Sequence, residues 1–375
     1  MLFPRVLQRL DGGLLLATFV LVAFGLASIT SVELSRGTDE FVLLRKQLFA
    51  LAIGLGFCLG ALLLNVQTYR AFARLGFWFG VLLLAVVLLA GQTFNGTTGW
   101  FVIFGLSFQP VEFMKVALAL ELARYLSDDA RERFGWRELF GSGWRAALPA
   151  ALLLLQPDLG AAIIIAGIWF LVIIAAGVKW FHLGSMLLAV LLAAAMAWVI
   201  FGQLHLADYQ LARVQTFLHP TSDPLGDGYN VSQAKIAIGA GGLVGRGLGG
   251  GSQSQLRFLP ESQTDFIFAV IAEELGLLGV TLVLGAYMII FWRVLTLIRA
   301  SRDAFSVYAL CALASTIFLQ SSVHIGVNLA LIPATGVTLP FVSYGGTSLI
   351  MSMFMLGIAE SIAASVPPVD RLARE

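Results

Sequence analysis

Long apolar blocks separated by short polar stretches dominate the chain. A helix needs roughly 20 apolar residues to cross a bilayer. Blocks of about that length fall at 12–31, 46–64, 75–94, 106–126, 146–157, 159–178, 181–201, 265–292, 304–331 and 343–365. The fifth is short and runs into Gln156-Pro157-Asp158, so Pro157 is expected to break a helix before a tight turn into the sixth. Residues 1–375 therefore read as one transmembrane domain: an all-α integral membrane protein of about ten transmembrane helices. A large extracytoplasmic loop, about 202–263, separates helices 7 and 8. Arg5 and Arg9 precede the first block, but no small-residue cleavage pattern follows it, which marks an anchor helix rather than a signal peptide.

Composition agrees with this pattern. Of 375 residues, 59% are hydrophobic and 12% charged, about half the charge of an ordinary soluble domain. A soluble chain of this length needs a charged exterior, so lipid is the outer solvent. A net charge of +1 gives no field for a nucleic-acid partner. Cys58 and Cys311 lie within apolar blocks and read as small buried residues. With the amino terminus in the cytoplasm, the inner segments hold fifteen Lys and Arg and the outer ones seven, with Lys115 inside a span. That asymmetry, with an even number of spans, puts both termini in the cytoplasm and the long loop outside, away from ATP.

A loop this long is usually functional or disordered, and this one contains the helix-like stretches 208–218 and 229–238. Its glycines from Gly239 to Gly251 include G-x-G-x-x-G at Gly245, Gly247 and Gly250, but no strand precedes them and the compartment is wrong for a dinucleotide. They form either a flexible loop or a backbone that closes on a substrate phosphate or sugar. Beyond them, Leu259-Pro260-Glu261-Ser262-Gln263-Thr264-Asp265 enters the eighth block. Taken alone, Asp265 reads as a helix cap; its place at the outer membrane boundary, beside Glu261 and the basic residues of the same loop, offers the alternative of a site carboxylate. On that helix Glu273 lies about 80° and Glu274 about 180° from Asp265, so the three cannot line one pocket.

Ionisable residues inside a membrane are costly and each is a functional hypothesis. Glu112 and Lys115 share one helical face and can neutralise each other, as an ion pair holding the bundle or as the lining of a cavity. Asp158 follows the Pro157 break and either caps the sixth helix or enters a site. His324, Asn328 and the segment Pro333 to Gly346 form another polar interruption, and Pro340 with Gly345-Gly346 rules out continuous helix there. Irregular backbone at that depth must be buried in protein or line an aqueous cavity. The four histidines have no paired metal-ligand spacing.

Four motifs carry a resemblance: Phe108-Gln109-Pro110-Val111-Glu112 with Lys115; Gln156-Pro157-Asp158-Leu159-Gly160; Leu259-Pro260-Glu261 through Thr264-Asp265-Phe266-Ile267-Phe268-Ala269 with Glu273-Glu274-Leu275-Gly276; and Gly336-Val337-Thr338-Leu339-Pro340 with Ser343-Tyr344-Gly345-Gly346. In this order the chain resembles the SEDS family of bacterial cell-wall synthesis, which includes RodA, FtsW and SpoVE. Gln233 to Gly239 and Arg257 to Glu261 look more like RodA, and Gly336 to Pro340 more like FtsW; RodA is favoured. Val111 replaces the small residue usual in the first motif, Gly99 stands where an Arg is common before Trp100, and His324 where Asn is frequent.

The resemblance implies ten transmembrane helices in the bacterial cytoplasmic membrane and a peptidoglycan glycosyltransferase that polymerises lipid II into β-1,4-linked glycan strands, for elongation or division. It implies that Asp265 is the catalytic carboxylate required for activity, expected here as a general base on the acceptor hydroxyl, that Glu112 and Lys115 are a functional pair, and that Asp158 is a site candidate. Lys235, Arg246 and Arg213 are the expected pyrophosphate contacts, with Glu261 beside them. A class B penicillin-binding protein is the implied partner, alongside membrane lipids. No cofactor is identified, and metal dependence stays open. A lipid II flippase and a non-catalytic scaffold for the transpeptidase are the alternatives.

Overall fold

In the computed structural model, which describes residues 10–35, 41–94, 96–103, 106–128, 135–185 and 227–366, nine apolar helices fall on nine of the ten expected spans. They are α1 (Gly12–Leu34), α2 (Val42–Leu63), α3 (Val66–Ala90), α4 (Pro110–Asp128), α5 (Trp136–Leu155), α6 (Leu159–Ala175), α9 (Ile267–Ala300), α10 (Ala304–Asn328) and α11 (Gly346–Ser365). Six of these are long and apolar enough to cross a membrane by length and composition, and α6 is a shorter apolar helix. The chain is a multi-pass membrane protein. The seventh expected span, 181–201, lies almost wholly outside the described residues, as does the loop stretch 208–218 with Arg213.

Two expectations need correction. The fifth helix begins at Trp136, ten residues earlier than its apolar block, because Trp136 to Gly143 mixes aromatic and charged residues that hid the pattern. It carries Pro149 internally and ends at Gln156, before Pro157 as expected. The fold is also not purely helical. A small antiparallel sheet, β1 (Gln92–Phe94), β2 (Thr97–Ile103) and β3 (Leu106–Phe108), joins α3 to α4. The outer strands β1 and β3 fall at the ends of the third and fourth blocks, and β2 falls in the gap between them.

Packing in lipid favours small residues that let backbones approach. On α2 the buried positions are Gln47, Ala50, Gly54, Cys58 and Ala61, one helical stripe, and it lies along α11. There a side chain at Gly357 would collide with the Cys58 carbonyl and the Ala61 methyl. The rest of α2 presents Leu48, Phe49, Leu55, Phe57 and Leu59 outward, as a lipid-facing surface should.

The polar clusters separate toward opposite ends of the bundle. At one end Asp11 caps α1, pairs with Arg293 at 2.6 Å, and donates its backbone N–H to Glu360. Arg124 bridges Glu121 and Asp128 nearby, with Arg145 also on Glu121. The other end gathers the sheet, the 156–160 turn, helix α7 (Asp227–Gly241), the one-turn helix α8 (Ser252–Gln255) and the irregular segments at 256–266 and 329–345.

At that second end α9 is two helices in line. Gly276 has φ 63° and ψ −161°, which no helix contains, so the ladder breaks between 275 and 277. A break strands carbonyls on one side and N–H groups on the other. The glycine-rich loop supplies both. Arg246 and Gly247 donate N–H groups to the carbonyls of Glu273 and Glu274, at 3.1 and 2.9 Å. Leu277 and Leu278 donate to the carbonyls of Gly242 and Leu243, at 2.9 and 3.1 Å. The glycine backbone does close tightly, but against the broken helix. Gly245, at φ 78°, and Gly276 face each other so closely that a Cβ on either would meet the other strand's backbone.

Glu273 and Glu274 complete the clasp. Both are buried. The Glu273 carboxylate accepts from the N–H groups of Gln253 and Ser254, at 2.8 and 3.1 Å, at the start of α8. Glu274 accepts from Ser31 on α1, at 2.5 Å, and from the Gly249 N–H. Both are thus engaged with α8, α1 and the glycine-rich loop.

The clasp predicts that Gly276→Ala lowers the thermal unfolding temperature in detergent and opens residues 242–251 to protease, since a left-handed non-glycine residue alone costs about 1–3 kcal/mol. Gly239→Ala, inside α7 with open space around it, should leave both unchanged or slightly improved.

Candidate functional site

Asp265 stands just before α9. The cap position belongs to Phe266 and carries no side-chain cap, so Asp265 is not the N-cap its residue type suggested. What holds it is its backbone. Glu261, at φ 49°, turns the chain so that its carbonyl accepts from the N–H groups of Thr264, Asp265 and Phe266, at 3.1, 3.1 and 3.3 Å. The carbonyls of residues 263, 264 and 265 are each taken by a different donor. Tyr344 N–H reaches Gln263 O at 2.9 Å, Ser343 Oγ reaches Thr264 O at 2.8 Å, and Asn328 Nδ2 reaches Asp265 O at 2.9 Å.

Tyr344 and Ser343 come from the irregular segment that the paired glycines and Pro340 announce, and Asn328 from the end of α10. Phe341 is left-handed at φ 67°, and Ser343 Oγ also accepts from Leu339 N–H, which folds the segment back on itself. Gln47 on α2 clips it from outside, donating to Ser343 O and accepting from Gly345 N–H. Tyr287 donates to Pro340 O at 2.6 Å. Gly336 faces the Asp265 side chain: a Cβ there would lie 4.0 Å from Asp265 Oδ2. The carboxylate residue is half-buried.

The other expected residues fall around this core at different distances. Asp158 caps α6, accepting from Ala161 N–H at 2.9 Å. Its turn packs against the same segment, because Gly160 abuts the Thr335 carbonyl, one residue from Gly336. Glu112 and Lys115 are buried at the start of α4, with Nζ–Oε2 at 2.7 Å. Just ahead of them, Thr347 of α11 accepts from Gln109 N–H and donates to Ser107 O. Lys235 is exposed on α7, whose buried Ala234 and Ala237 pack on Phe266, Ala269 and Val270. Arg246 bonds Ala240 O and Ser252 Oγ within the clasp, with its backbone at Glu273, roughly 12 Å along the helix from Asp265.

A cavity of about 630 Å³ backs the same loop, lined by Glu33, Leu43, Arg257, Leu259, Glu261 and Gln263 among others. Asp265 is not among its walls. Among the described residues, no three His, Cys, Asp or Glu side chains come close enough to share a metal ion. The residues that sequence reasoning passed over are the donors. Asn328, His324 and Ser343 were visible only as a polar interruption in an apolar pattern, and Gly276 as a glycine inside a helix.

With this geometry in place the comparisons become specific. A family model described as "Cell cycle protein", covering FtsW, RodA and SpoVE, matches residues 12–366. The chain belongs to this family. It is 37% identical to the probable peptidoglycan glycosyltransferase FtsW of Thiomicrospira cyclica, over 94% of this chain and 91% of that protein. It is 36% identical to the peptidoglycan glycosyltransferase MrdB of Escherichia coli K12, over 94% and 93%. Among solved structures, a chain from a study titled "Structural coordination of polymerization and crosslinking by a peptidoglycan synthase complex" superposes with a TM-score of 0.80 at 32% identity, covering 95% of this chain and 98% of that one. Near-equal identity to FtsW and MrdB leaves the branch within the FtsW–RodA–SpoVE family undivided.

For this family member, the buried Glu112–Lys115 pair makes a stability prediction. Lys115→Met strands a buried carboxylate and should cost about 3–5 kcal/mol, whereas the double variant Glu112→Gln/Lys115→Met should recover most of that loss. Chemical or thermal unfolding of the four proteins of the cycle measures it.

Proposed function

We propose that the chain polymerises lipid II on the outer face of the bacterial cytoplasmic membrane, with Asp265 as general base. As its relatives' names indicate, it is a peptidoglycan glycosyltransferase of cell-wall synthesis. The observation that carries the mechanism is the pinning of residues 263–265 by three donors, which leaves a half-buried carboxylate on an immobile backbone at one end of a membrane bundle.

In this reading the Asp265 carboxylate takes the proton from the 4-hydroxyl of the acceptor's GlcNAc as O4 attacks the donor's MurNAc anomeric carbon. The bond from that carbon to the pyrophosphate oxygen breaks, and the lipid pyrophosphate leaves with the electron pair. It needs no protonation, so one carboxylate suffices where glycoside hydrolases use two. A single displacement inverts the α-linked donor to a β-1,4 bond. Lys235, Arg246 and Arg213 supply the cations toward the pyrophosphate, with Arg213 outside the described residues. Glu261 and Asp158 stand as further substrate contacts, and Glu112–Lys115 as the polar pair beneath the site.

The excess of Lys and Arg on one set of segments supports cytoplasmic termini and an external 202–263 loop. The RodA-like segments at 233–239 and 257–261 support a role in elongation. A class B penicillin-binding protein is the proposed partner, in keeping with the synthase complex named in the matched structure's title.

Asp265→Asn should fold, purify with wild-type thermal stability, and form no detectable polymer from purified lipid II in detergent. Because Asn is isosteric and serves as well as Asp wherever backbone capping is the only demand, polymer formation by that variant would remove the base assignment.

A further inference from the structure

Asn328 ends α10, and its side chain is fully buried, at 0% exposure. Its amide is used on every side. Oδ1 accepts from Ala269 N–H at 3.0 Å, and Nδ2 donates to Asp265 O at 2.9 Å and to His324 O at 2.8 Å. Two of these bonds reach residues 265 and 269, so one side chain spans the first turn of α9. A helix start leaves N–H groups that need outside acceptors, and a primary amide is the side chain that can accept there while donating to the carbonyl preceding them.

The consequence falls on Asp265. Its N–H is held by Glu261 O at 3.1 Å, which limits φ. Its own carbonyl is held by Asn328, which limits ψ. Only the two side-chain torsions remain to the carboxylate. One turn back on α10, His324 Nδ1 meets Val337 O at 2.9 Å, next to Gly336, where a Cβ would lie 4.0 Å from Asp265 Oδ2. The last turns of α10 therefore grip both walls of the gap in which the carboxylate sits.

We infer that Asn328 is a positioning residue for the glycosyl transfer, setting the backbone of Asp265 through its paired amide. The inference rests on the assignment of Asp265 as base. Asn328 touches no substrate in this scheme and acts on turnover alone, through the placement of the acid. Misplacement by about 1 Å costs on the order of a hundredfold in rate.

Asn328→Asp keeps the shape of the side chain but turns two donors into acceptors facing carbonyls, and Asn328→Ala removes all three bonds without adding charge. Both would be purified beside the wild type and Asp265→Asn, with lipid II polymerisation measured over a range of concentrations and normalised to the monodisperse, folded fraction. The expected result is a kcat lower by on the order of a hundredfold, with KM within about twofold, for whichever variant folds. Wild-type kcat per folded molecule in either variant, or a loss confined to KM, would overturn the inference. So would losses that track only the folded fraction, which is what a purely structural amide gives. If Asp265→Asn polymerises, the base assignment itself falls; if it is dead while the Asn328 variants keep kcat, only the positioning role falls.

Discussion

Backbone polar groups inside a membrane protein have no water to fall back on, so each interruption of a helix must find its partners within the chain. This chain has irregular backbone at Gly276, around Pro340 and before Ile267, and each stretch finds its partners in another segment of the chain. The glycine loop repairs the Gly276 break. The 337–345 segment and the end of α10 take up the carbonyls of 263–265. Remove one partner and a buried polar group is left unmet, at a cost of about 1–3 kcal/mol.

That mutual dependence gives the site its rigidity. A general base works by geometry before acidity, and the carboxylate of Asp265 is carried on backbone fixed at both ends by hydrogen bonds to separate elements. Buried Glu273 and Glu274, which could have been read as further catalytic acids, instead hold the loop onto the helix by accepting from Gln253, Ser254, Ser31 and Gly249. That takes Glu273 and Glu274 out of the chemistry and leaves Asp265 as the carboxylate proposed for it, in keeping with a leaving group that needs no acid.

Much of this was legible in the chain itself. Apolar blocks located nine helices because lipid-facing helices must be apolar nearly all round. Pro157 ended α5 where the backbone chemistry said it would. The start of α5 was lost because Arg137, Glu138 and Arg145 broke the apolar count; β1 and β3 were lost because Phe94 and Phe108 extended the neighbouring blocks, leaving β2 as a short connection between them. At the site, the motif at 264–269 points to Asp265 as the proposed base, while the surroundings of that residue could not be read. Periodicity reports which face of a helix is buried, but the bond from Asn328 to Asp265 joins residues 63 apart, and the clasp depends on a left-handed angle at Gly276 that a helical pattern conceals.

The central claim is a single inverting displacement assisted by one fixed carboxylate. The stereochemistry of the new linkage tests it most directly. Purified chain in detergent, given lipid II alone, should release undecaprenyl pyrophosphate and build strands whose MurNAc–GlcNAc bonds are β-1,4, read by NMR or by sensitivity to a β-specific muramidase. Strands joined through α linkages would require a second displacement and a second nucleophile, and would contradict the mechanism.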